Sequence, residues 1–146
     1  MENFEIYTLT IFNIWDPVDD RNFWEAVIEA PDICSLFDFH LFIQNILNFD
    51  TDHLFDFCAG RNERNRQVIF SERSGSPHDG GDYESIILKE IFPLKGLKLY
   101  YILDYGDNWL FEIRKSRKKT KGQLGAEYPR IVSENGIKLR QYINGD

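Results

Sequence analysis

The sequence predicts an α+β fold: a mostly antiparallel sheet of about five or six strands packed against one main helix and one short helix, in a single domain over residues 1–146. Three observations carry this reading. Alternation of apolar with small polar residues runs through Glu5–Trp15, an apolar stripe at three-and-four spacing begins at Leu36, and two aromatic, β-branched runs flank Tyr105-Gly106-Asp107-Asn108.

Glu5 to Trp15 sets Tyr7, Leu9 and Ile11 against Ile6, Thr8 and Thr10, as a first strand does; Asp16-Pro17 ends it. Phe23 to Ala30 suits a second strand, and Pro31 makes continued helix across that point unfavourable. Ser35 followed by Asp38 resembles a capping box, and positions 36, 39, 43, 46 and 47 line one face of a helix over Leu36–Asn48. His40 lies on that stripe or at its edge.

Phe49 to Asp52 reads as a turn, His53 to Ala59 as a third strand, Arg61 to Arg66 as a hairpin loop and Gln67 to Ser71 as the returning strand. Glu72 to Asp82, with three glycines and Pro77, reads as a long loop. Glu84 to Phe92 suits a short helix in its latter half, stopped by Pro93. In the hairpin Leu97–Ile113, Leu97, Leu99, Tyr101 and Leu103 share the core-facing side, and Gly106 supplies the positive φ a tight turn needs. Arg114 to Lys121 follows as a solvated strand end and loop, Tyr128 to Val132 as a further strand, and Ile137 to Ile143 has no clear assignment.

Twelve phenylalanines and 42% apolar residues provide for a real core. The net charge of −7 argues against a general nucleic-acid binder, but RKSRKKTK over 114–121 holds six cations; subtracting them leaves −13 on the remainder. Arg114, Lys115, Arg117, Lys118, Lys119 and Lys121 are therefore a candidate anion-binding strip, through which alone nucleic acid would be contacted; the simpler reading is a charged stretch that faces water. Cys34 and Cys58 have neither metal-ligand spacing nor a disulfide framework. The acidic N-terminal stretch is unlike a secretory signal and no run approaches membrane-spanning length, so a cytoplasmic protein with free thiols and no membrane contact is expected.

Three blocks resemble the plasmid pRiA ORF-three-like family over about residues 5 to 132. Leu103-Asp104-Tyr105-Gly106-Asp107-Asn108-Trp109, continuing to Ile113, is similar to its Y-D-F-G-D-x-W-x-H-x-I signature; Phe39-His40 with Ile43-Gln44 is similar to L-H-x-x-I-Q; and Phe49 to Phe57 is similar to W-x-D-x-H-L-x-x-F. Tyr128-Pro129-Arg130 matches the start of the C-terminal block. The resemblance implies an α+β domain carried on plasmids or near mobile elements, with some relatives labelled as transposon passengers, and it implies no reaction. The sequence departs from the pattern at Phe111, where histidine is usual, at Phe49, where tryptophan is usual, and in lacking P-P-E-D-x-G-G.

The candidate binding residues are His40, His53, Asp104, Asp107 and Trp109. With Asp50 and Asp52, the histidines and carboxylates could hold a cation or form an acid/base pair, so a metal-dependent hydrolase or nuclease-like enzyme is the alternative reading. Against it, Asp and Asn are ordinary turn and cap residues, and a histidine on an apolar stripe is commonly a satisfied core residue. Trp15, Trp24, Trp109, Tyr100 and Tyr105 could form an aromatic platform beside the basic run, or fill the core. No nucleophile elbow, phosphate loop or calcium loop is present. The expectation is a non-enzymatic binding or adaptor module with a protein partner and no cofactor.

Overall fold

The computed structural model describes residues 4–15, 23–49, 55–62, 64–71, 85–103, 109–123, 125–137 and 139, with the side chains of 15, 66–71 and 119 outside that description. In chain order the elements are β1 (Glu5–Trp15), β2 (Trp24–Pro31), α1 (Leu36–Leu47), β3 (Phe55–Gly60), β4 (Arg66–Ser71), α2 (Leu88–Ile91), β5 (Lys98–Leu103), β6 (Trp109–Lys121) and β7 (Arg130–Gly136). They form one antiparallel sheet in the order β4-β3-β5-β6-β1-β2-β7, with α1 as the main helix and α2 as the short one.

Alternation in the strands sends every second residue to the α1 side. Register then stacks these residues into rows across the sheet: Ala59 opposite Leu99, Leu99 opposite Ile113, Ile113 opposite Ile11, and Ile11 opposite Ala26. This face carries the main core, which includes Leu9, Ile28, Phe57, Tyr101 and Phe111, and α1 closes it with Leu36, Phe39, Ile43 and Leu47. Phe39 stacks on Phe57 with ring centroids 5.8 Å apart. The opposite face holds a smaller cluster of Cys58, Tyr100 and Ile102, with Ile14 and Leu110 against it. Both faces of the central strands are thus covered, which is why β3 is buried along its whole length.

The termini of α1 are built as its sequence suggests. The Ser35 side chain accepts from the Asp38 N–H at 3.1 Å, and Asn48 ends the helix in the left-handed region at φ 59°. In α2 the Glu90 carboxylate reaches back to the Ile87 N–H at 3.0 Å. The ring-edge contact of Trp24 with Phe111, at 6.0 Å, ties β2 to β6 across the intervening β1.

Of the solvated strand end and loop expected over 114–121, the loop is instead strand: β6 runs without a break to Lys121, pairing with β1 as far as Glu5 opposite Lys121. Polar side chains do not stop a strand whose backbone has a ladder to join, and β1 supplies that ladder. Seven strands result among the described residues, with the last beginning at Arg130 and reaching Gly136. The tip of the hairpin at Tyr105–Asn108 and the glycine-rich stretch Glu72–Asp82 lie outside the described residues.

Candidate functional site

His40 sits on the inner face of α1, 2% exposed, with its ring stacked on Phe55 at a centroid distance of 3.6 Å. Its Nδ1 is 2.6 Å from the Tyr101 hydroxyl, and Gln44, one turn further along α1, donates from Nε2 to the same oxygen at 2.7 Å. His40 Nδ1 and the Tyr101 hydroxyl thus share one hydrogen bond, whose direction follows from the imidazole tautomer. Burial lowers His40 to about 4, so the ring is neutral near pH 7, and burial raises Tyr101 well above the usual phenol range. The histidine and glutamine of one sequence block are therefore held by a tyrosine on β5 that sequence reading placed in the core without assigning it a partner. The clue was available: a tyrosine hydroxyl on a core face must find a polar neighbour.

Trp109 is fully buried and, among the described residues, its Nε1 has no hydrogen-bond partner; Gln44 Oε1 is a second such atom. Phe49 meets the indole edge-on at 5.0 Å, while Phe111 stacks with it at 6.3 Å and 11°. Phe49 and Phe111, two of the positions where the sequence differs from the family pattern it resembles, both pack on this one ring. Trp24 and Tyr100 are buried as well, at 1% exposure each, so with Trp109 they fill the interior and do not form an exposed platform. Tyr105 and the Trp15 side chain lie outside the described residues, as do His53, Asp50, Asp52, Asp104 and Asp107. Among the described residues no group of three or more His, Cys, Asp or Glu side chains is placed to hold a metal ion.

The basic run lines a groove. β5 and β6 pair from Leu103–Trp109 down to Leu99–Ile113, and beyond that rung β6, among the described residues, keeps a strand partner only on its β1 side. The segment entering β5 swings away through a turn in which Lys95 and Gly96 take φ of 52° and 92°. Between the diverging walls is an open groove of about 420 Å³, lined by residues 92–99 and 112–117. Its cations are Lys95, Lys98, Arg114, Lys115 and Arg117, against one carboxylate, Glu112. Arg114 Nε is 2.6 Å from Glu112 Oε2 and the guanidinium lies over Phe12 at 4.8 Å; Lys115 Nζ lies over the Tyr7 ring at 4.7 Å. Lys118 and Lys121 are exposed further along β6, and the Lys119 side chain is outside the described set. Lys95 and Lys98 were missed by sequence reading because they belong to the preceding turn; their closeness to β6 exists only once the hairpin closes.

A basic strand overhang has a structural use of its own. Leu9 opposes Lys115 and Tyr7 opposes Lys119, so β6 carries two extra residues in a bulge there. Lysines and bulges are common means of blunting an open sheet edge against unwanted pairing. That accounts for the strand's own cations; it does not account for the cations that the opposite wall contributes.

The sequence profile of the plasmid pRiA4b ORF-3-like protein family matches residues 22–143. No curated protein sequence matches the chain. Among solved structures, a protein of unknown function from Methanosarcina mazei Go1 superposes with a TM-score of 0.67 and 21% identity, over 90% of this chain and 69% of that one. At that identity the likeness speaks for the fold alone.

Proposed function

The chain belongs to the plasmid pRiA4b ORF-3-like family, a group without an assigned reaction, and from its geometry we propose that it is a binding module that takes an anionic partner at the β5–β6 groove. The observation that carries this reading is the convergence of cations from two separate segments, the Lys95–Lys98 turn and the Arg114–Arg117 strand, on one open groove of a chain whose net charge is −7. Family resemblance suggests the setting, a protein carried on plasmids or near mobile elements. The polar groups of His40, Gln44 and Tyr101 are turned toward one another in the interior, which suits a structural role better than catalysis.

Retention on a heparin column tests the reading. The protein is expected to bind at low salt and to elute early once the groove cations Lys95, Lys98 and Arg117 are changed to Glu. Flow-through of the unmodified protein at low salt would remove the proposal.

A further inference from the structure

We infer that the anion this groove takes is an acidic peptide segment, bound in extended form and anchored by an aliphatic side chain. The inference rests on the binding reading above and names its partner. Three features select a peptide. The first is the wedge itself: past the Leu99–Ile113 rung β6 has no strand on the β5 side among the described residues, so an extended backbone can lie beside Arg114 and Lys115 as a short added strand. The bulge that follows limits such pairing to the groove and sets where the segment must end.

The second feature is charge. Among the described residues Lys95, Lys98 and Arg117 have no carboxylate partner, whereas Glu112, the one acid in the lining, is taken by Arg114. The free cations stand on both walls, as carboxylates projecting to either side of an extended segment require.

The third feature discriminates against nucleic acid. Single strands are held by stacking bases on exposed aromatic rings. The only aromatic lining residue is Phe92, 8% exposed, while nearby Tyr7 and Phe12 are capped by Lys115 and Arg114. What the groove offers besides charge is aliphatic, from half-buried Leu94 and Leu97. A leucine flanked by glutamates fits this lining and a stacked base does not.

Fluorescence anisotropy on the full chain tests the inference with three probes: a fluorescein-labelled decapeptide of alternating glutamate and leucine, the same peptide with serine for leucine, and a single-stranded oligonucleotide of matched charge. The leucine peptide is expected to bind at least about tenfold tighter than either other probe, and about tenfold weaker to the Lys98→Glu/Arg117→Glu variant, whose circular dichroism should match the parent. An oligonucleotide bound as tightly as the leucine peptide would overturn the inference while leaving an anion-binding groove standing. Equal binding of the leucine peptide to parent and variant would place it elsewhere and also overturn it. No binding of any probe at low salt would remove both readings.

Discussion

His40 Nδ1 lies 2.6 Å from the hydroxyl of Tyr101, a bond that joins the only long helix among the described elements to an interior strand of the sheet. Gln44 shares that hydroxyl at 2.7 Å. Changing Tyr101 to Phe keeps the ring and removes the oxygen, leaving two buried polar side chains without their partner. The expected loss is about 1–3 kcal/mol in urea unfolding, the usual penalty for stranded buried groups. A double variant that also replaces His40 should lose less than the sum of the two single changes, because the second change removes one of the stranded groups.

The same histidine makes stability depend on acid. Burial holds its pKa at about 4 in the folded chain against 6.5 as the ordinary value, so between those values the unfolded chain takes up a proton that the folded chain refuses. This contribution is fully present above about pH 6.5 and is lost as pH falls toward 4, amounting to on the order of 3 kcal/mol. Unfolding free energies measured across that window should slope upward with pH. His40→Gln, which cannot be protonated, should flatten the slope; an unchanged slope would show that the histidine is not its source.

Glu112 is buried beside Tyr100, its cross-strand partner, and depends on Arg114 at 2.6 Å for an opposite charge. The arginine side chain is 65% exposed, which places the pair between the sub-kcal/mol worth of surface pairs and the several kcal/mol at stake in buried ones. Arg114→Ala is expected to destabilise by about 1–2 kcal/mol. Adding Glu112→Gln should recover part of that loss, a sign that the stranded charge was the cause.

Two glycines with similar backbone angles should respond differently to alanine. Gly125 at φ 83° has open space where a Cβ would stand, so Gly125→Ala costs about 1 kcal/mol of left-handed strain alone. At Gly136, with φ 88°, the added carbon would run into the Phe23 carbonyl oxygen, the acceptor for the Ile137 N–H at 2.8 Å. Gly136→Ala must therefore also disturb the end of the β2–β7 ladder, and its melting temperature should fall clearly below that of Gly125→Ala.

Burial, with the Asp38 charge adding to it, pushes the Cys34 thiol up to about 12, and Cys58 is 1% exposed. Ellman's reagent at pH 8 should leave both thiols untouched in the native protein and titrate both in denaturant, since the thiolate is the reactive form. Rapid native labelling of one equivalent would contradict this.

What was legible in the sequence was local. The α1 stripe, its Ser35 cap and the alternation of β1 are short-range patterns, and they place these elements within a residue or two of where they lie. The length of β6 was not legible, because the cause of its extension is β1, a hundred residues earlier, and composition alone reads RKSRKKTK as something water-facing. The groove was half legible for the same reason. The strand cations form a visible run, whereas Lys95 and Lys98 join them only through the hairpin. The Tyr101 link to His40 spans 61 residues and needed the helix to be laid on the sheet.

The position of β1 has a consequence for how the molecule is made. It is the first strand of the sequence yet stands between β6 and β2, so among the described strands it alone hydrogen-bonds the four-strand block β4-β3-β5-β6 to the pair β2-β7. During synthesis β1 can pair with β2 early, but one of its edges must wait for β6 to leave the ribosome. An early hairpin with a waiting edge is a template for a neighbouring nascent chain, and crowded polysomes are where such chains meet.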